Sequence, residues 1–272
     1  MGADSFARIA QEVSPYTEEL ALHLLGEPLG HTALKEILDH CEKAKLKVNL
    51  STNGVLLKNP EKYALLFHPC LRQINFSLHS FDSNFEVDKL SAYLEAIFRF
   101  TEEVAEKKLD LFINYRLWNF QSTDTKSAAN KNLVPKTNAL ILSAIEERFQ
   151  KKINPELDLR QRKGFRIQDK VFLHFDTQFE WPSLKNPFRS KTGFCYGLES
   201  HIGILADGTV VPCCLDYAGE ISLGNIFKNS LEEILLSEKA QNMVAGFKKR
   251  ELREELCQKC SFISRFDARK AL

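Results

Sequence analysis

Five of the chain's seven cysteines lie in its last third, and four of them are spaced as the ligands of one metal centre would be. Cys195 and Cys213 flank the hairpin pattern IGILADGTVVP, and Cys257 and Cys260 form a C-x2-C pair about forty residues later. A C-x2-C pair turns two thiolates toward one ion from a single tight turn, and Asp207-Gly208 suits the positive-φ positions of a two-residue hairpin turn. Four soft donors in two pairs satisfy either an iron–sulfur cluster or a tetrahedral zinc. The first carries electrons; the second only staples. Zinc ribbons usually use two short C-x2-C knuckles, and one is present here. Cys214 directly follows Cys213, and adjacent residues cannot easily both reach one centre in relaxed geometry. Cys213 is the favoured ligand, five residues beyond Gly208, with Cys214 a spectator. Cys41, in a helical stretch, and Cys70, after Pro69, read as ordinary buried thiols.

A second pattern concerns where apolar runs end. Gly26-Glu27-Pro28, Ser51-Thr52-Asn53-Gly54, Ser77-Leu78-His79-Ser80 and Asn114-Tyr115-Arg116 each close a strand-like segment with polar or glycine-containing residues. In parallel α/β folds, ligands bind beyond the carboxyl ends of the strands, where such knots converge. Singly, each has a plain structural explanation as a turn or strand exit. Together and in order they point to a binding face.

These candidates need a scaffold. ELALHLLGEP, LKVNLSTNG, LRQINFSLHSF and LDLFINYRLWN read as strands or short apolar runs, and KVFLHFDTQFEWP as a further strand. Between them, HTALKEILDHCEKAK carries Leu34, Ile37, Leu38 and Cys41 on one helical stripe. PEKYALLF starts a helix on Pro60, and a long helix lies within FEVDKLSAYLEAIFRFTEEVAEKK. DSFARIAQEV opens the chain as an amphipathic helix with Asp4 as N-cap, and NALILSAIEERFQKK is another helix. Residues 119–137 are polar and aperiodic, the pattern of an exposed loop or lid, and the tail SLEEILLSEKAQNMVAGFKKRELREEL reads as helical up to Cys257. The βαβα rhythm predicts a parallel sheet or barrel with helices outside.

Composition narrows the partners. The 272 residues carry 37 Lys+Arg against 36 Asp+Glu, a formal net charge of +1, so no basic excess speaks for nucleic acid. No apolar run approaches a membrane span, the first residues lack a signal pattern, and a cytoplasmic address with metal-bound or free thiols is expected.

The order GEP, STNG, SLHS, YRLWN, then C-x12-G-x4-C and C-x2-C, resembles radical S-adenosylmethionine enzymes that carry a SPASM or twitch auxiliary-cluster domain. The resemblance runs from residue 3 to about residue 262. It implies an α/β fold: a partial (β/α)6-type barrel missing its first strand over residues 1–180, and a small cysteine-rich domain over residues 181–272. It implies S-adenosylmethionine as cofactor, with Gly26, Glu27 and Pro28 at the methionyl amine and Ser51, Thr52 and Asn53 near the ribose or carboxylate. Ser77 and His79 would make another ribose contact, and Asn114 and Arg116 would serve the carboxylate or adenine side. Cys195, Cys213, Cys257 and Cys260 would hold one auxiliary [4Fe–4S] cluster. The implied activity is reductive cleavage of S-adenosylmethionine to a 5′-deoxyadenosyl radical that modifies a peptide or small molecule, fed by an electron donor such as flavodoxin or ferredoxin.

One departure qualifies this. The family's C-x3-C-x2-C, which follows its first strand, does not occur, and the resemblance puts that segment before Met1. The chain as it stands is therefore expected to be incomplete and inactive alone, and no residue takes a catalytic role. The alternative is a non-catalytic iron–sulfur or zinc module that keeps the ligand pocket. His174, Asp176, Glu180 and Trp181 are candidate substrate contacts, or else the solvent side of an alternating strand.

Overall fold

Alternation along short segments separates two faces of the larger sheet, and that separation positions everything else. The computed structural model describes residues 1–120, 136–153, 164–178 and 180–267. It divides into two compact units, Tyr16–Gln178 and a second one of Met1–Pro15 with Phe179–Leu272.

The chain opens with helix α1 (Ala3–Val13), which belongs to the second unit. Gly2 is its N-cap, and Asp4 sits inside the first turn rather than at the cap, where its charge still favours the helix N-terminus. The first unit is a six-stranded sheet in the order β1-β2-β3-β4-β6-β5. Its strands are β1 (Glu19–Leu22), β2 (Lys47–Thr52), β3 (Leu71–Ser77), β4 (Phe112–Phe120), β5 (Gly164–Gln168) and β6 (Val171–Thr177). All neighbours are parallel except β5 and β6, which form an antiparallel hairpin at one edge. The crossovers carry α2 (Leu34–Lys43), α3 (Pro60–Leu65), α4 (Leu90–Glu106) and α5 (Lys136–Phe149).

One face of this sheet is apolar and fully covered: Leu50, Ile74, Phe76, Ile113, Tyr115, Leu117, Leu173 and Phe175 are all buried. Leu34, Leu38, Ile97, Phe100 and Ile145 on the helices are buried too. The core is aromatic, with Phe76 against Phe100 at 5.9 Å between ring centroids and Phe98 against Tyr115 at 6.0 Å. The buried Tyr115 hydroxyl meets Thr101 Oγ1 at 2.6 Å, which satisfies the one polar atom an all-apolar core would strand. The opposite face is polar. The register aligns Ser51, Asn75 and Asn114 in one row and Ser77, Arg116 and His174 in the next. A parallel strand buried on both faces usually reads as a continuous apolar run. Here strict alternation persists, so one face is core and the other is available for chemistry.

The second unit holds a small antiparallel sheet of β7 (Gly203–Ile204), β8 (Thr209–Val211) and β9 (Gly224–Asn225). The β7–β8 connection differs from the two-residue turn read from Asp207-Gly208. Leu205 N–H donates to Thr209 O at 2.9 Å and Gly208 N–H to Leu205 O at 2.9 Å, so the loop has three residues and only Gly208 is left-handed, at φ +85. A Cβ on Gly208 would fall 2.4 Å from Phe227 Cδ2. Gly208→Ala is therefore expected to lower stability by about 1–3 kcal/mol in urea unfolding, through a left-handed backbone and an overpacked ring. Gly30→Ala, where a Cβ meets nothing within 4 Å, should stay near wild type.

The tail is broken rather than one helix: α6 (Leu231–Leu236), α7 (Glu238–Lys248) and α8 (Glu255–Gln258). Ser237 ends the first and caps the second, accepting from Ala240 N–H at 3.3 Å. α6 itself starts on a Ser230–Glu233 capping box, and Leu231 N–H reaches Glu12 Oε1 on α1 at 2.7 Å. Strand β5 has no counterpart in the sequence reading. Of the loop assigned to residues 119–137, positions 121–135 lie outside the described residues, while Asn119 ends in β4 and pairs its amide with Asn138 on α5 at 2.7 and 3.2 Å.

Candidate functional site

The first two strand-end loops are joined by one carboxylate. Leu25 and Gly26, both left-handed at φ 58 and φ 87, turn the chain after β1 and aim Glu27 at the end of β2. Glu27 Oε1 accepts from Thr52 Oγ1 at 2.6 Å and Leu29 N–H at 3.1 Å, and Oε2 accepts from Asn53 N–H at 2.7 Å. Thr52 Oγ1 in turn accepts from Gly54 N–H at 3.0 Å, and Tyr93 on α4 donates to Asn53 O at 2.7 Å. The GEP and STNG segments thus share one wall, with Pro28 opening a short 3₁₀ turn behind Glu27.

Beyond this clasp lies the polar sheet face. Asn75 Nδ2 donates to Leu50 O and Ser51 Oγ, at 3.3 and 3.2 Å, and its Oδ1 accepts from Asn114 Nδ2 and Gln73 Nε2, each at 2.9 Å. Arg116 Nη1 donates to Ser51 Oγ at 3.3 Å, and its guanidinium lies over the Trp118 ring at 4.4 Å. No carboxylate partners Arg116 among the described residues, and burial pulls its pKa down to about 10. A half-buried, unneutralised fork of donors is the chemistry of a carboxylate-binding site. His79 Nδ1 meets Arg116 O at 3.0 Å, and Ser77 stands in register with Arg116. Gly26, Glu27, Pro28, Ser51, Thr52, Asn53, Ser77, His79, Asn114 and Arg116 all lie at strand ends or on the polar face of this one unit. Sequence reading passed over Asn75 and Gln73. Their alternation with Ile74 and Phe76 was the available signal. Of the other candidates, His174 reaches this face and Asp176 follows it on β6. Glu180 and Trp181 lie in the second unit, where Glu180 pairs with Arg189 at 3.1 Å.

Burial lowers the pKa of both His79 and His174. The Arg116 charge pushes the same way, and for His79 the hydrogen bond to Arg116 O partly opposes it. With folded values below the ordinary 6.5, the unfolded chain binds more protons in that range. The stability these two imidazoles support is intact above the unfolded value and is lost as pH falls through it toward the folded one. Urea midpoints should therefore drop between pH 7.5 and pH 5.5, and a His79→Gln/His174→Gln protein should drop less; equal slopes would refute the assignment.

In the second unit, Cys195, Cys213, Cys214, Cys257 and Cys260 line one cavity of about 250 Å³. Its other walls are largely apolar, including Leu215, Ile221, Leu256 and Phe262. Burial raises every one of these thiols, Cys213 to about 12 and Cys257 well above the ordinary value. Cys257 is further raised by Cys195, Cys213 and Cys260, while Cys214 interacts with Cys195 and Cys213. Backbone N–H groups oppose the rise: Gly197 to Cys195 Sγ at 3.4 Å, Leu215 and Asp216 to Cys213, Phe262 and Ile263 to Cys260. Such N–H groups directed at sulfur stabilise thiolates and the clusters they hold. Asp216 is buried and fixes the loop after Cys213, accepting from Glu220 N–H at 2.9 Å and Ile221 N–H at 2.8 Å.

Sulfurs around one tetrahedral zinc sit about 3.8 Å apart, given Zn–S near 2.3 Å. Among the described residues, the only three potential ligand atoms within 4.8 Å of one another belong to Asp39, Glu42 and His68, so no three of these sulfurs are that close. A shared cavity with spread donors fits a multi-iron centre, in which each thiolate takes its own iron.

Residues 195–261 match SPASM, an iron–sulfur cluster-binding domain. No curated protein sequence matches the chain. Among solved structures, BtrN in an open conformation is similar at 13% identity and TM-score 0.53, over 96% of this chain and 80% of BtrN. Streptococcus suis SuiB bound to precursor peptide SuiA gives 16% identity and TM-score 0.51, over 97% of this chain and 63% of SuiB. Tagged anSMEcpe with bound AdoMet gives 14% identity and TM-score 0.51, over 99% of this chain and 82% of anSMEcpe. At these identities the likeness speaks for the fold, a mixed α/β unit with a mainly parallel sheet beside a SPASM domain. The chain thus carries a SPASM iron–sulfur cluster-binding domain over residues 195–261 and shares the fold of these three proteins.

Proposed function

We propose that this protein serves the reductive cleavage of S-adenosylmethionine and the radical modification of a peptide or small molecule. One [4Fe–4S] cluster would be held by Cys195, Cys213, Cys257 and Cys260. The observation that carries this reading is one largely apolar cavity lined by those thiols, inside the segment that matches an iron–sulfur domain. When bound, such a cluster supplies one-electron transfer. Four thiolates leave no iron open, which favours an electron relay over direct substrate ligation, while the apolar walls keep water from the sulfurs.

On the first unit, the Glu27 clasp ties the two strand-end loops together, and Arg116 would take the methionyl carboxylate. Backbone groups at Gly26-Glu27-Pro28 would face the amine, and Ser51, Thr52, Asn53, Ser77, His79 and Asn114 the ribose and adenine. The AdoMet in anSMEcpe and the precursor peptide on SuiB support a cofactor and a peptide of these classes here. An electron donor such as flavodoxin or ferredoxin and a cytoplasmic setting complete the proposal; no described helix is long and apolar enough to cross a membrane.

Anaerobic reconstitution tests it. About four irons and four sulfides per chain, with absorbance near roughly 400 nm, are expected. Calorimetry should show S-adenosylmethionine binding that weakens at least tenfold in Arg116→Ala. A colourless protein holding one zinc, or binding indifferent to Arg116, would sink the reading.

A further inference from the structure

Three metal-ligating side chains converge at the amino ends of β2 and β3, the opposite end of the sheet from the Glu27 clasp. Asp39 and Glu42 stand three residues apart on α2 and share one helical face, while Leu38 and Cys41 are buried in the core. His68 lies in the turn that enters β3. One ligand atom from each lies within 4.8 Å of the other two. His68 Nε2 is 3.1 Å from Asp39 Oδ1 and 3.8 Å from Glu42 Oε2. Nitrogen and oxygen ligands about 2.1 Å from a tetrahedral zinc stand about 3.4 Å apart, and the two separations bracket that value.

The imidazole is held as a ligand must be. His68 N–H donates to Leu65 O at 3.2 Å and Leu71 N–H to His68 O at 3.0 Å, which fixes the backbone on both sides. The ring is 10% exposed, and Cys70 Sγ lies 3.1 Å from Nδ1. A partner on the outer nitrogen orients a metal-binding histidine. The charges, by contrast, do not close. Asp39 Oδ1 can only accept, so Nε2 carries the ring proton, and Cys70 N–H donates to Nδ1 at 3.3 Å in agreement. That one proton serves Asp39, which Lys35 also pairs at 2.8 Å. Glu42 faces the same nitrogen from beyond hydrogen-bond reach, and among the described residues no lysine or arginine pairs with it. Two carboxylates around one proton leave a negative charge that a divalent cation would balance.

We infer that Asp39, Glu42 and His68 form a binding site for a divalent first-row cation of the zinc type. One imidazole and two carboxylates favour such an ion over magnesium or calcium, which take oxygen ligands alone. Three protein ligands leave a fourth position for water. The cation takes the Nε2 lone pair. The proton there leaves to solvent, while Nδ1 takes one up and donates it to Cys70 Sγ, so the ring stays neutral and changes tautomer. Lys35 keeps its bond to Asp39 Oδ2. Bound in this way, the ion ties the end of α2 to the entry of β3 and stabilises the fold without touching the strand-end loops.

The test titrates zinc into anaerobically reconstituted full-length protein with ¹⁵N-labelled histidine, with magnesium as the contrasting cation. The His68 ring signals, assigned with His68→Gln, should report Nε2–H before zinc and a metal-bound Nε2 with Nδ1–H after it. Magnesium should leave them unmoved. After gel filtration, wild type should retain one more zinc per chain than His68→Gln, and calorimetry should show zinc affinity at least tenfold weaker in Glu42→Gln. Zinc should raise the urea midpoint of wild type more than that of Glu42→Gln. The Glu42 side chain is 53% exposed, so its variant keeps the inference falsifiable if His68→Gln does not fold. Unmoved His68 signals, an equal response to magnesium, equal zinc on wild type and His68→Gln, or unchanged affinity in Glu42→Gln overturns the inference. The ring signals belong to His68 alone, so zinc taken up by the cysteine centre, or a failed reconstitution, is separately visible.

Discussion

Glu27→Ala should destabilise the protein by about 3 kcal/mol, roughly a hundredfold in the folding equilibrium, and weaken S-adenosylmethionine binding at least tenfold. The carboxylate accepts from Thr52 Oγ1, Asn53 N–H and Leu29 N–H, and among the described residues no other acceptor serves those donors. Hydrogen bonds to a charged group contribute about 1.5–3 kcal/mol each, and the three share one side chain, so their sum is not reached. Glu27→Gln keeps one accepting oxygen but turns an NH₂ group toward a donor, and about half the effect is expected. Thr52→Val removes a single bond and should cost about 1 kcal/mol. Urea unfolding measures the first effect and calorimetry the second. A Glu27→Ala protein within 1 kcal/mol of wild type would mean that the GEP and STNG loops are held by something else.

That clasp also marks the limit of what the sequence discloses. Parallel order, the helical crossovers and the run of polar strand ends all follow from period-two and period-3.6 patterns, because burial on one face imposes them. Ser51, Asn114 and Arg116 were legible as strand-end residues for that reason. The partner of each was not. That Glu27 reaches Thr52, or that Asn75 orients Asn114, depends on register between strands about twenty-five to forty residues apart, which no local pattern encodes. The hairpin at Asp207-Gly208 shows the same limit at short range. The dipeptide suits a two-residue turn, yet Gly208 alone is left-handed, since the loop also has to seat Phe227 against it. The tail reads as one helix because its apolar spacing is continuous, and it breaks where Ser237 offers a cap. Strand β5 is too short, and its inward positions too mixed, to rise above a loop.

The cysteine centre gives the sharpest contrast between neighbouring residues. Cys257→Ala should leave less than one iron per chain after reconstitution, whereas Cys214→Ala should retain about four. Cys257 feels Cys195, Cys213 and Cys260, and burial raises its pKa well above the ordinary value. Cys214 lines the same cavity and interacts with Cys195 and Cys213 but is not among the thiols that raise Cys257, while Cys213 receives two backbone N–H groups that settle charge on its sulfur. Cys213→Ala should therefore fall with Cys257→Ala. The sign of the pH effect follows from the same burial. Thiols raised above their ordinary value stay protonated in the apo protein, so loading the centre must expel protons and should become less favourable as pH falls. Small structural metal sites return on the order of 10 kcal/mol to folding, so the cluster-free variants should also lose the cooperative thermal transition of the second unit while that of the first persists. Iron retained by Cys213→Ala and lost from Cys214→Ala would exchange the two assignments. Iron lost from neither would remove the cage altogether.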